Sequence, residues 1–247
     1  MTWGRLAAPN HRGVLVPRVL GLWEALGVCI AALGLATFLG LGAAGWAATS
    51  GALLVFGAGL MDDLAPAGPR GLRNHLRALA AGRVTTGIVK AFVAAGAAAI
   101  VVAVEPRRGA PVELVGIVLI AAATNLWNGL DVMPGRALKA FLVVGLLFIG
   151  VDWRLAPPVP GAFVPGLLAL LADLRERAML GDGGSNLLGF TAGLGLYLVL
   201  PGWGVALGAA AAVALNLLGE TVTLSRLIEA TPPLRWFDGL GRIPLGP

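Results

Sequence analysis

From Trp46 to Met61 the chain carries no charge, and two adjacent aspartates, Asp62 and Asp63, end the run. A stretch this apolar approaches the roughly 17–25 residues that a helix needs to cross a bilayer. In hydrocarbon only a helix or a closed barrel satisfies its own backbone groups, so such a run has few conformations open to it. The paired acids then sit where the helix meets water. An aspartate at the bilayer centre costs about 2.5–3.5 kcal/mol on insertion scales. The penalty falls at the interface, but two like charges side by side still repel unless a cation neutralises them. Charged groups at the edge of a membrane helix are functional candidates. On its own, the stretch reads equally as an acidic helix stop.

The rest of the chain repeats the pattern. Its 247 residues are 57% hydrophobic and 13% charged, against roughly 25% charged in soluble domains, and its mean hydropathy is +0.86. Apolar runs fall at 18–41, 45–61, 84–104, 112–127, 134–151, 158–174, 187–201 and 203–224. The expected fold is therefore all-α: a polytopic membrane bundle of about eight transmembrane helices forming a single integral domain over 1–247. With the amino terminus inside, fourteen basic residues fall in inner segments and three in outer ones (Arg107, Arg108, Arg154). This asymmetry places both termini in the cytoplasm of a cell that holds the protein in its plasma membrane. Loops 62–83, 125–139 and 175–186 then share the cytoplasmic face, and 225–247, with Arg235, Trp236 and Phe237, reads as an interfacial tail. The 37 glycines suit close helix approach. Cys29 stands alone within an apolar run, which excludes a disulfide framework or a thiolate metal site. No cleavable signal sequence is expected near the amino terminus. The net charge of +5 is accounted for by basic inner loops facing anionic lipid, with no nucleic-acid partner expected.

Two further stretches join the aspartate pair on that face. Asn125, Asn128 and Asp131 recur every three residues, a spacing that lets all three face one groove. Asparagine amides pair a donor with an acceptor, suited to a nucleotide base or sugar, and an ionised aspartate only accepts. Gly181-Asp182-Gly183-Gly184-Ser185 leads into an apolar run. Its glycines permit close backbone approach, and a helix amino terminus offers free N–H groups to an anion. A carboxylate in such a turn makes sense if a divalent cation joins it to a phosphate, and Mg²⁺ is commonly held by one or two carboxylates plus phosphate and water. Arg70, Arg73, His75 and Arg77 in the largest inner loop form either a positive-inside loop or a basic surface for phosphates. Lys90, in the first turns of the next run, either snorkels to the interface or joins them.

In combination these stretches resemble the polyprenyl-phosphate N-acetylhexosamine-1-phosphate transferase superfamily, which includes phospho-N-acetylmuramoyl-pentapeptide transferase. Asn10-His11-Arg12-Gly13 with Val16-Pro17 and Gly21 looks like its first cytoplasmic loop. Asp62-Asp63, Arg70-Gly71, the Asn125/Asn128/Asp131 triplet and Leu180-Gly181-Asp182-Gly183-Gly184-Ser185 with Gly189-Phe190 fall in the family's order. The resemblance implies transfer of a sugar-1-phosphate from a UDP-amino sugar to a polyprenyl phosphate with release of UMP, in cell-envelope polysaccharide or peptidoglycan-related synthesis. It implies Mg²⁺, with Mn²⁺ as a substitute, held by Asp182 with Asp131 assisting. Asp62 or Asp63 would deprotonate the lipid phosphate or complete the metal shell. Asn125 and Asn128 would hold the nucleotide, and Arg70, Arg73, His75, Lys90, Gly183, Gly184 and Ser185 the phosphates. A homodimer is compatible with it. Of the two aspartates, Asp63 is expected to turn towards Asp182 and Asp62 towards the loop carrying Arg70 and Arg73, since neighbours on a helix project about 100° apart.

The sequence departs from that family in three places. It reads Asp131-Val132-Met133-Pro134-Gly135 where a second acid is usual, it contains no histidine besides His11 and His75, and it has fewer runs than its relatives have helices. A descendant that binds polyprenyl phosphate or a partner without catalysis is therefore the alternative. A transporter would need acids at mid-membrane in facing helices, whereas these acids gather at one interface. Direct attack by the lipid phosphate and a covalent aspartyl intermediate both remain open.

Overall fold

The structure is a computed structural model that describes residues 6–65, 68, 71–104 and 108–243. Two short antiparallel strands, β1 (Ala7–Pro9) and β2 (Leu15–Pro17), form a hairpin before the helices begin. Helices α1 (Leu20–Phe38), α2 (Ala43–Leu64), α3 (Leu72–Ala80), α4 (Thr86–Val104) and α5 (Ala110–Leu130) follow. Then come α6 (Arg136–Gly145) with a 3-10 segment Leu146–Gly150, α7 (Pro158–Leu174), α8 (Gly181–Val199) and α9 (Gly202–Thr221). Two short helices, α10 (Leu224–Ala230) and α11 (Pro232–Gly239), close the chain.

The protein is an all-α membrane bundle. Among the described residues five helices, α1, α2, α4, α5 and α9, are long and apolar enough to cross a membrane. Leu54, Phe92, Ile100, Leu114 and Leu207 are all exposed on this set, an outward apolar surface that only lipid or a partner would cover. The other three expected runs also fold as helices but differ from a simple span. The run 134–151 tightens into 3-10 geometry after Gly145, a common ending for an α-helix. The run 158–174 coincides with α7, whose length is 17 residues. The run 187–201 begins six residues early, because the Gly-Asp-Gly-Gly-Ser stretch is itself the first turn of α8.

That early start is possible because α8 is the buried centre of the bundle, with Leu187, Leu188 and Phe190 fully enclosed. Its glycines are the points of closest approach. A Cβ on Gly184 would lie 2.7 Å from the Gly21 Cα on α1, and one on Gly189 2.6 Å from the Ala123 carbonyl oxygen on α5. Likewise a Cβ on Gly59 of α2 would lie 2.4 Å from the Asp182 carbonyl oxygen. Small residues thus let three helices press backbone to backbone against α8, as membrane packing requires. The amino ends of α1, α4, α6 and α8 and the carboxyl ends of α2, α5, α7 and α9 gather at one end. At the other end, Arg108 ahead of α5 donates to the carbonyls of Leu198 (2.9 Å) and Leu200 at the close of α8.

The tail folds back on the first of these ends. Arg136, buried at the start of α6, grips Asp238 of α11 with two parallel bonds, Nε to Oδ1 at 2.9 Å and Nη2 to Oδ2 at 2.8 Å. Arg242 also pairs with Asp238 and donates through Nε to the Pro134 carbonyl at 2.9 Å. Lys139 donates to the carbonyls of Phe237 (3.0 Å) and Leu240 (3.1 Å). Residues 225–247 were expected as an interfacial anchor. The described part of that segment is docked by buried charge, while Trp236 and Leu234 stay exposed.

Candidate active site

Helix ends deliver the charged groups. Asp62 and Asp63 occupy the last turn of α2, Asp131 follows the last residue of α5, Asp173 lies in the last turn of α7, and Asp182 in the first turn of α8. Lys90, one turn into α4, places its Nζ 2.5 Å from Asp62 Oδ2 and 2.6 Å from Asp182 Oδ2. Asn128 completes this cluster. With its amide turned to suit both neighbours, it donates to Asp182 Oδ1 at 3.3 Å and accepts from Lys90 Nζ at 3.2 Å.

Asp63 faces a different partner. Arg18, two residues ahead of α1, donates through Nη1 to Asp63 Oδ1 at 2.7 Å and through Nη2 to the Asp63 carbonyl at 2.5 Å. The other carboxylate oxygen accepts from the Gly183 N–H at 3.1 Å. The first N–H groups of a helix have no partner within the helix, so Asp63 acts as a cap for α8 lent by α2. The expected division of the pair is therefore corrected in one half. Asp63 does turn inward, but Asp62 also turns to Asp182, through Lys90, instead of to the basic loop. Each aspartate takes a cation of its own, and this removes the repulsion that two adjacent charges would otherwise feel.

Asp63, Asp131, Asp173 and Asp182 line one cavity of about 450 Å³, together with Arg18, Glu176, Asn10 and His11. Glu176 ties the hairpin to its rim. It accepts from Asn10 Nδ2 at 2.6 Å, pairs with Arg12 Nε at 2.8 Å and has His11 Nδ1 at 3.8 Å. Asp173 Oδ2 accepts from the Gly135 N–H at 2.8 Å, which fixes the glycine that opens α6 at φ +73°. The Asp131 carboxyl is pushed well above the ordinary carboxylate range, first by burial and then by the charges of Asp173, Asp182 and Asp63. Among the described residues no three His, Cys, Asp or Glu side chains stand grouped as a complete metal shell.

The structure brings together Asp62, Asp63, Lys90, Asn128, Asp131 and Asp182, and places the other expected residues elsewhere. Asn125 Nδ2 donates to Asn216 Oδ1 on α9 at 2.7 Å, so it clamps two helices instead of facing the cavity. His75 Nδ1 lies 2.8 Å from Thr85 Oγ1, at the elbow between α3 and α4. Arg73 is exposed and lines a separate hollow with Arg77 and Glu220. Gly183 offers its N–H to Asp63, Gly184 packs on Gly21, and Ser185 Oγ donates to the Gly181 carbonyl at 3.0 Å. The anion that this helix terminus was expected to receive is, in the first instance, a side chain of the protein itself. Arg70 lies outside the described residues. Arg18, Asp173 and Glu176 were not singled out from sequence. Asp173 and Arg18 do carry the signal that marked Asp62, a charge at the edge of an apolar run, but each stands without a motif around it. Comparison with protein-family models and with curated proteins finds no match to this chain.

Proposed function

We propose that this chain is a membrane phosphoglycosyl transferase, which moves a sugar-1-phosphate from a UDP-amino sugar to a polyprenyl phosphate and releases UMP. One observation carries the reading: acids from α2, α5 and α8, far apart in sequence, meet at one end of a membrane bundle around a cavity of about 450 Å³, with Lys90 between two of them. Phosphoryl transfer asks a protein chiefly for positioning and charge neutralisation, and this set provides both. The bundle crosses the bilayer eight times, with α6, α7 and α8 completing the five longer spans, and the cavity faces the cytoplasm.

The cavity's donors fit a divalent cation in kind. Asp131 and Asp182 offer hard oxygen donors, and the charges that raise the Asp131 carboxyl are those of other acids. Mg²⁺ is usually held by one or two carboxylates, with phosphates and water completing its shell. A cation there would supply charge neutralisation for the substrate phosphates and the departing UMP. Asp131 and Asp182 would hold it, Asn128 fixes Asp182, and Arg18 holds Asp63 at the cavity wall. In the transfer itself a bond forms from an oxygen nucleophile to the β-phosphorus. The bond from that phosphorus to the bridging oxygen breaks, and the oxygen leaves with UMP.

A protein that binds polyprenyl phosphate without catalysis is the rival, and the engagement of Asn125 with Asn216 favours it by removing one expected nucleotide contact. The deciding experiment incubates the purified protein in detergent with undecaprenyl phosphate, Mg²⁺ and a panel of UDP-sugars. The expected result is UMP release that needs both lipid and metal. Lipid binding without UMP from any member of the panel would establish the rival.

A further inference from the structure

We infer that Lys90 is a built-in counter-cation: its ammonium, set between Asp62 and Asp182, competes with a divalent metal ion for the Asp182 carboxylate, and a substrate phosphate relieves that competition by drawing Lys90 to itself. The inference rests on the proposed function and adds a coupling between its metal and its anionic substrate.

Three observations support it. Asp62 and Asp182 come from different helices, yet a single ammonium touches both, at 2.5 and 2.6 Å. The backbones that carry them lie in direct contact, Gly59 of α2 being pressed on the Asp182 carbonyl with no room for a Cβ. Two carboxylates are thus held close across helices, and the protein sets its own cation between them. Second, Lys90 occupies Asp182 on one oxygen, and Asn128 reaches the other. A metal ion binding Asp182 must share those two oxygens with donors already in place. It also brings two positive charges beside a third. Third, the group in place is a lysine, a compact charge on a flexible four-carbon stem. Arg18, by contrast, is fixed to Asp63 by contacts to both its side chain and its backbone. A released Lys90 can swing to a phosphate entering the same end of the bundle. By linkage, whatever binds Lys90 as an anion tightens the metal, and the metal tightens the anion by the same factor.

The test uses Mn²⁺ alone, titrated against purified protein in detergent and followed by loss of the free-ion electron paramagnetic signal. Lys90→Gln should bind Mn²⁺ about tenfold or more tightly than wild type, while Lys90→Arg, which keeps the charge, stays within about twofold, differences of the size that site-to-site coupling supplies. Asp182→Asn should lose the site. A second measurement needs no variant. Lys90 and Lys139 are the two lysines of the chain, so acetylation of wild-type protein read by mass spectrometry gives Lys90 against an internal reference. Mn²⁺ should raise the Lys90 to Lys139 ratio as the ammonium leaves its carboxylates. Equal Mn²⁺ affinity in Lys90→Gln and wild type, or an acetylation ratio unmoved by saturating Mn²⁺, overturns the competition and leaves the metal site standing. No saturable Mn²⁺ binding in any of the proteins removes the metal reading itself, and this inference with it.

Discussion

Asn128 lies three positions after Asn125 on α5, a step that leaves them about 60° apart around the helix. On a helix packed between two others that angle is enough to address different neighbours. Asn128 turns to α8 and meets Asp182, whereas Asn125 turns to α9, where Asn216 receives it and donates in turn to the Ala122 carbonyl at 2.8 Å. The spacing alone allowed both to serve one groove, and nothing in it distinguished an amide that reads a ligand from one that ties two helices. Hydrogen bonds between membrane helices average about 0.6 kcal/mol in double-mutant cycles. The Asn125→Ala and Asn216→Ala pair should therefore show a coupling of about that size in unfolding, with no change in the KM for the sugar nucleotide. Asn128→Ala should instead lower kcat/KM about tenfold or more, since a tenfold loss corresponds to one lost hydrogen bond to a charged group. A rise in KM from Asn125→Ala equal to that from Asn128→Ala would return Asn125 to the nucleotide.

At the scale of elements, α11 shows how a segment legible as interfacial acquires a structural role. Its Arg235 stands beside Trp236 and Phe237, as a surface helix would have it, and Trp236 is indeed exposed. The acid among them, Asp238, turns the other way and meets Arg136 and Arg242. Burial acts to raise the Asp238 carboxyl, but the hydrogen bonds and charges of Arg136 and Arg242 outweigh it and hold the group below its ordinary value. A carboxyl depressed in the folded state stabilises above its unfolded pKa of about 3.9, and that contribution is lost as pH falls through the lower, folded value. Docking of the tail should thus be unchanged from neutral pH down to about 4 and should weaken below it. Asp238→Asn should reproduce the weakened state at neutral pH. Trypsin cleavage at Arg235, followed by mass spectrometry at pH 7.5 where the protease is active, should be faster in Asp238→Asn than in wild type. Hydrogen exchange of the α11 amides supplies the acid arm. Equal cleavage of the two proteins would mean that the arginine pair does not hold the tail.

For the molecule as a whole, the decisive arrangement is the meeting of eight helix ends on one side of the bundle. The basic residues share that side, which is why the proposed orientation turns the cavity to the cytoplasm. Reporter fusions placed after Arg107 and after Pro247 should report opposite sides of the membrane, and a shared side for both would refute eight crossings. The centre of the bundle was harder to read than its edges. α8 is the most enclosed helix, yet its glycine-rich opening keeps it out of the set that hydropathy alone selects. A helix surrounded by protein need not be apolar enough to face lipid, so hydropathy is least informative for the helix that organises the rest.

The sequence by itself determined the membrane class and the helical fold, because uncharged runs near bilayer length leave the backbone little choice. It also marked the acids at the helix ends, because a charge at the limit of an apolar run is conspicuous there. It could not assign partners. Lys90 reads alone as an interfacial lysine, Arg18 as one of many inner arginines, and Gly59, Gly184 and Gly189 as three among 37 glycines. Which glycine lets two backbones touch, and which cation then falls between which acids, depends on how α1, α2, α4 and α5 close around α8. Those contacts join residues far apart in the chain, 120 positions from Asp63 to Gly183 and more from Gly21 to Gly184, and no local pattern records them. Only tertiary packing decided that the adjacent aspartates would hold different cations, and that one of those cations would stand between acids of two helices.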